Sequence, residues 1–280
     1  MKLFTTIAQM REEREAIDGH LGLVPTMGYL HAGHIALARQ AKKENAVVVV
    51  SIFVNPKQFN PGEDLTTYPR DIGRDIKLLE DESVDIIFAP TVEEIYPTGH
   101  STYVNVDQIA SRLEGIQRPQ HFRGVATVVT KLFSIVNPTR SYFGQKDGQQ
   151  LLVIKRLTQD LNLATEIRSV PTIREADGLA LSSRNLYLSS QERQAAPVIF
   201  RSLCHIDQLW QSGERNGNIL RQEIRRFIQN EPLAKIDYVS IADMVDLEEL
   251  SIVNEPAMAS VAVRFGKARL IDNILLEDIV

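Results

Sequence analysis

The run "AVVVVSIFV" (46–54) constrains the fold more than any other stretch of this chain. It is apolar almost throughout, rich in β-branched residues, and shows no alternation between apolar and polar positions. That pattern suits a strand covered on both faces, as in a parallel sheet flanked by helices. Its apolar heart "AVVVV" (46–50) is far short of the roughly 20 residues a membrane-spanning helix needs. Two further segments, "VDIIFAP" (84–90) and "SYFG" (141–144), read the same way, and "LGLVP" (21–25) reads as a short strand. Helical patterns lie between them. Residues 32–45 place Ile35, Ala38, Ala41 and Lys42 at helical spacing, and 71–82 do so with Ile72, Ile76 and Leu79; 125–136 and 149–161 are also amphipathic. Strand alternating with helix predicts right-handed βαβ units and a Rossmann-like, doubly wound α/β sheet. Ligands of such sheets bind beyond the carboxyl ends of the strands, which points to loops 25–34, 55–62 and 144–148.

The pattern changes after about residue 173. Residues 190–230 read as two helices, the first with Pro197 near its start, separated by "SGERNGN". Short strands follow in "KIDYVSIAD" (235–243), "ASVAVRFG" (259–266) and "ARLIDNILL" (268–276). Helices followed by a run of strands predict a smaller α+β domain. The expected division is residues 1–173 and a C-terminal lid domain, 174–280. A net charge of −5 argues against a surface dedicated to nucleic acid or anionic membrane, because both require concentrated Lys and Arg. The only cysteine is Cys204, so no disulfide can form within the chain. The start "MKLFTTIAQMREERE" turns charged too soon for a signal-peptide core. The expectation is a soluble cytoplasmic protein.

The chemistry starts at "VPTMGYLHAGH" (24–34). A helix beginning near Gly33 puts His31 and His34 at a strand-to-helix turn. The N-terminus of a helix offers unpaired N–H groups and partial positive charge, which together favour phosphate. Gly28 and Gly33 allow close backbone approach. Two imidazoles add directed donors, and a protonated imidazole neutralises charge developing on a phosphate in flight. The spacing does not match the two-histidine helical zinc motif.

H-x-G-H alone marks a broad nucleotidyl-transfer superfamily. Four further segments accompany it: "SIFVNPKQFNPGEDLTTYPR" (51–70), "HFRGVATVVTKLF" (121–133), "YFGQKDGQQL" (142–151) and "VPTIREADGLALSSRN" (170–185). Together, in this order and ending with "RLIDNILL" (269–276), they closely resemble the pantothenate synthetase (pantoate–β-alanine ligase) family. The resemblance implies condensation of pantoate with β-alanine at the expense of ATP. Pantoate carboxylate would attack ATP to give pantoyl adenylate and pyrophosphate, and the amine of β-alanine would then displace AMP. It also implies Mg2+ and a homodimer.

The same resemblance assigns residues. ATP would be bound by Thr26, Met27, Gly28, His31 and His34, by Gly144, Lys146 and Asp147, by Ile173, and by Leu181, Ser182, Ser183 and Arg184. His34, His31 and Lys146 would act in catalysis. Lys146 is a point cation suited to phosphates, and Arg184 offers a planar donor fork. Gln58 and Gln150 would hold pantoate, with His121 and Asn55 beside it; an amide binds hydroxyl and carboxylate without competing charge. Leu181 stands where the family commonly has Met, a packing exchange. In "RDIGRDIKL" (70–78), Arg74 and Leu78 replace an acidic residue and a glutamine associated with magnesium, which leaves Asp75 as the metal candidate. Gly148 replaces an apolar residue after the Lys-Asp pair and is expected to loosen that loop. Two other readings compete. Another nucleotidyltransferase of the superfamily would have no reason for Gln58, Gln150 or "SSRN", and a nonenzymatic nucleotide-binding module would be expected to have lost His31, His34, Lys146 or Arg184.

Overall fold

Every strand of the larger sheet is parallel to its neighbours, in the order β1-β4-β3-β2-β5-β6. The computed structural model describes residues 1–277. In the first of its two units, Met1–Gly144 with Gln149–Pro171, the chain runs β1 (Lys2–Phe4), α1 (Ile7–Glu15), β2 (Leu21–Thr26), α2 (Ala32–Glu44), β3 (Val47–Ile52), α3 (Ile72–Asp81), β4 (Ile86–Phe88), α4 (Val92–Ile95), α5 (Glu114–Gln117), α6 (His121–Val136), β5 (Arg140–Gly144), α7 (Gly148–Asp160) and β6 (Glu166–Val170). The doubly wound expectation is borne out, and the apolar run forms β3 near the middle of the sheet.

Successive strand residues point to opposite faces, so the run feeds two cores. Leu21, Leu23 and Val49 pack on one face with Phe133, Phe143 and Ile154. Val24, Val48 and Val50 pack on the other with Ile35, Ala38 and Ala41 of α2. The absence of alternation in 46–54 has this cause. β1 and β6 were not legible in the sequence. Both are edge strands with charged residues, Lys2 in one and Glu166 and Arg168 in the other. α3 departs from its predicted stripe: Ile72, the first residue of the helix, is 46% exposed, and the inward position of that turn is taken by Asp75.

The direction of winding reverses at β2, which makes β2 and its neighbours the place to look for a ligand. The register opens that place physically. β2 pairs with β3 over all six positions, Leu21↔Val47 to Thr26↔Ile52. With β5 it pairs only at Gly22↔Arg140 and Leu23↔Ser141. Toward their carboxyl ends β2 and β5 therefore part.

The second unit comprises Gln145–Gly148 and Thr172 onward. It contains α8 (Ser190–Ala195), α9 (Val198–Gln211), α10 (Gly217–Gln229) and the antiparallel sheet β7 (Lys235–Asp243), β8 (Ala257–Phe265), β9 (Ala268–Leu276). Three helices stand where two were expected, because Pro197, with no N–H to donate, ends α8 and stands at the N-cap of α9. Trp210, Leu203, Ile224 and Ile228 pack against Val261, Val263 and Leu276 of the sheet. Among the described residues no helix is long and apolar enough to cross a membrane.

Candidate active site

The turn after β2 is built around two left-handed residues, Gly28 at φ +80° and Tyr29 at φ +49°. Gly28 N–H donates to Thr26 Oγ1 at 3.2 Å, and Thr26 Oγ1 donates to the Ser51 carbonyl at 2.7 Å. A Cβ at position 28 would stand 3.0 Å from Asp75 Oδ2 and from Ile52 Cγ2, so the site requires glycine twice over. Asp75 reaches this turn from α3. Its Oδ2 accepts the Tyr29 N–H at 2.7 Å and its Oδ1 accepts the Leu30 N–H at 2.8 Å. The carboxylate is 1% exposed. Burial pushes its pKa up, and the two backbone donors pull it back. Arg74 lies over the Tyr29 ring, 5.0 Å from the centroid.

This placement gives Asp75 a structural task beside the metal ligand expected of it. Both of its oxygens are engaged by backbone donors, and among the described residues no three His, Cys, Asp or Glu side chains gather as a metal cradle. The residues present do not form an all-protein cage for Mg2+; Asp75 could contribute at most one carboxylate beside ATP phosphates.

The turn delivers His31 to the N-cap of α2. His31 Nδ1 accepts the Gly33 N–H at 3.2 Å, and His34 Nδ1 accepts the His31 N–H at 3.3 Å. This is a capping box with imidazoles in place of the usual hydroxyl and carboxylate. The ring centroids are 4.1 Å apart. Each Nδ1 thus meets a backbone N–H, and Nε2 is the other nitrogen of each ring. A Cβ on Gly33 would stand 2.9 Å from His31 Cε1. That glycine makes room for the cap.

A second cluster gathers around Gln58, which ends a 3-10 turn, Pro56–Gln58, after β3. Gln58 Oε1 accepts from Asn55 Nδ2 at 3.0 Å and its Nε2 donates to Met27 Sδ at 3.1 Å. The β2 turn and Gln58 are therefore in contact. Asn55 also donates to the Gly124 carbonyl at 3.1 Å, while its Oδ1 accepts from Lys57 N–H at 3.2 Å and Tyr96 O–H at 2.8 Å. An amide offers two donors and two acceptor positions, and all four of Asn55's are used. Asn55 is spent on holding Gln58 and has nothing left for pantoate. The Gln58 carbonyl takes His121 Nδ1 at 2.9 Å and Arg118 Nη2 at 3.2 Å. Burial and the neighbouring Arg118 push the His121 pKa down to about 4, so the ring is neutral and its Nδ1–H is the donor. Gly124 of α6 lies against the same turn; a Cβ there would be 2.3 Å from the Lys57 carbonyl oxygen. Gln150 sits half-buried on α7. Its neighbour Gln149 is structural, donating to the Ile109 and Arg112 carbonyls at 2.8 and 2.7 Å.

In the second unit, Gln145–Asp147 forms a 3-10 turn directly after Gly144, the last residue of β5. Lys146 Nζ meets Asp147 Oδ1 at 3.2 Å. Gly148 is buried: a Cβ would lie 2.6 Å from Met258 Sδ and 3.1 Å from the Asn273 amide. It lets the turn pack closely, and the expected loosening is corrected. Ile173 and Leu181 are joined, the Leu181 N–H donating to the Ile173 carbonyl at 3.0 Å. Ser182 caps the next 3-10 turn, Ser183–Tyr187, by accepting the Arg184 N–H at 3.3 Å. Behind them Arg174 forks onto Asp272, at 2.5 and 3.0 Å, and stacks 3.7 Å from the Phe200 ring centroid.

The sequence matches the pantoate–β-alanine ligase family over residues 2–275. A pantothenate synthetase of Roseiflexus sp. (strain RS-1) is 58% identical over 277 residues, covering 99% of this chain and 100% of that protein. The chain belongs to the pantoate–β-alanine ligase family. A solved pantothenate synthetase from Thermus thermophilus superposes with a TM-score of 0.94 at 46% identity, covering 99% of this chain and 100% of the other. The pantoate–β-alanine ligase of Francisella tularensis, solved with "Beta-gamma ATP" and β-alanine, gives a TM-score of 0.81 at 38% identity, with 100% and 99% covered. Family membership makes the chain an enzyme, a carbon–nitrogen ligase.

Proposed function

We propose that this chain condenses (R)-pantoate with β-alanine in two steps, with the following residues in charge. A pantoate carboxylate oxygen attacks the α-phosphorus of ATP, the bond to the bridging oxygen breaks, and pyrophosphate leaves. The β-alanine amine then attacks the acyl carbon, the acyl–oxygen bond breaks, AMP departs, and the amine proton is lost to solvent. A carboxylate acylates poorly because oxide is a poor leaving group; the adenylate substitutes AMP. The protein's work is positioning and charge management on phosphate.

The observation that supports this reading is the His31–His34 capping box at the mouth of α2 beside Gln58. Two imidazoles are preset at the helix mouth as donors for phosphate oxygens, and His34 is assigned the α-phosphate and departing pyrophosphate. Thr26, Met27 and Gly28 line the same turn. Further ATP contacts are assigned to Gly144, Lys146 and Asp147, to Ile173, and to Leu181, Ser182, Ser183 and Arg184. Pantoate is assigned to Gln58 and Gln150, with Asn55 and His121 holding Gln58 in place. Magnesium is proposed to arrive on the ATP phosphates. The family resemblance further supports a homodimer, to be checked by sedimentation, and a cytoplasmic location.

The test is pyrophosphate release measured with ATP, pantoate and β-alanine, omitting each in turn. Release that ignores pantoate, or that another acid triggers equally, would overturn the reading. His34→Ala should lose adenylation far more than ATP binding; proportionate losses would remove its transition-state role.

A further inference from the structure

The motif "RLIDNILL" (269–276) carries no part of the proposed chemistry, yet it forms β9 and holds the segment that includes Lys146. Asn273 Nδ2 donates to the carbonyls of Gln145 and Lys146, both at 2.9 Å. Its Oδ1 accepts from Gln145 Nε2, also at 2.9 Å. Both N–H bonds of a buried amide are thus committed to two consecutive carbonyls of the Gln145–Asp147 turn. Gly148 closes the far end of the turn against Met258 and the same Asn273 amide. This explains why Gln145–Gly148 belongs to the second unit although Gly144 before it and Gln149 after it belong to the first.

Asn273 is itself well fixed. Leu270 and Leu276 of β9 face the helix-packed core, and Asp272 shares their face by strand alternation while Asn273 takes the other. Asp272 Oδ1 accepts the Asn273 N–H at 2.8 Å, and the Arg174 fork holds the Asp272 carboxylate. A one-residue slip of β9 would exchange the two faces, so the Arg174 pair pins the register that Asn273 needs.

We infer that Asn273 is a positioning residue for Lys146: it sets the backbone from which the ammonium is aimed, and acts on ATP use without touching substrate. The inference rests on the reading that Lys146 contacts ATP. Lysine has a long, flexible stem, so an anchored Cα is what gives its charge a defined position.

A double-mutant cycle on the full chain tests it, with ATP varied at saturating pantoate and β-alanine. Asn273→Ala should lower kcat/KM for ATP on the order of tenfold and leave KM for pantoate unchanged, and adding it to Lys146→Ala should cost little more than Lys146→Ala alone. Additive losses would show that Asn273 acts on the fold at large and would overturn the inference alone. A Lys146→Ala enzyme with unaltered ATP dependence would overturn the reading of Lys146, and the inference with it. If Asn273→Ala is unfolded at the assay temperature, the same cycle is run with Asn273→Asp, which keeps the shape but cannot donate to the two carbonyls when ionised; the same outcomes decide.

Discussion

Replacing Asp75 by alanine removes one carboxylate and leaves two donors exposed to the loss. The Tyr29 and Leu30 N–H groups, now at 2.7 and 2.8 Å from its oxygens, would have no acceptor at a position closed to solvent. An orphaned buried donor costs about 1–3 kcal/mol. The left-handed Tyr29, at φ +49°, stores a strain of about 1–3 kcal/mol that the clamp holds in place and that its removal would release. That release, together with relief from burying the carboxylate, the same burial that pushes its pKa up, offsets part of the cost of the two orphaned donors. The net expectation is a loss of about 2 kcal/mol in stability. Adenylation should fall further, because a displacement of about 1 Å in His31 and His34 costs on the order of a hundredfold in rate. Urea unfolding and pantoate-dependent pyrophosphate release, each measured across a magnesium titration, check both numbers. The pH dependence has a defined sign. An acid whose folded pKa lies above its unfolded value binds its proton more tightly when folded, so its contribution declines as pH rises from the unfolded pKa through the folded one; Asp75→Asn should abolish that decline. An Asp75→Ala protein of unchanged stability that needs only more Mg2+ for full turnover would refute the clamp and restore the metal ligand.

Two other perturbations probe the Gln58 cluster. Gly124→Ala drives a Cβ to 2.3 Å from the Lys57 oxygen and 2.6 Å from the Gln58 nitrogen, so KM for pantoate should rise by roughly tenfold or more, in line with an overpacking strain of about 1–3 kcal/mol; initial rates with pantoate varied decide. His121, with its pKa pushed down to about 4, is neutral in the fold where the unfolded side chain would be charged, so stability should fall as pH drops from about 6.5 toward 4, by up to about 3 kcal/mol. His121→Gln should flatten that limb of the stability curve, as measured by denaturant unfolding across pH.

The strands that could be read from the sequence were the ones whose composition their burial dictates. A strand buried on both faces must be apolar throughout, so β3 and β4 announce themselves, whereas β1 and β6 lie at edges where charged side chains reach water. Helix periodicity located α2, α3, α6 and α7 within a few residues. It misjudged Ile72, because periodicity treats Asp75 as a surface residue and cannot see that a carboxylate meets two backbone donors there. The position of His31 and His34 was equally local, since a strand end, two glycines and a helix start lie within a few residues of each other.

What the tertiary structure alone decided is how each polar group is used. An amide or carboxylate has a fixed number of bonding positions, and its function depends on which of them the fold fills. Asn55 and Gln58 are three residues apart and chemically alike, but Gly124 and Tyr96, remote in sequence, join Lys57 and Gln58 in filling all four positions of the Asn55 amide and make it the support for Gln58. Asp75 is committed to a turn 45 residues before it, and Asn273 to a turn more than 120 residues before it. Gly148 reads as a loose point in the sequence, yet Met258 and Asn273 close against it in the fold. Local pattern and composition suffice for the parallel sheet, for the helix start that carries His31 and His34, and for the family. Which side chains touch substrate and which hold others in place depends on partners brought together only by folding.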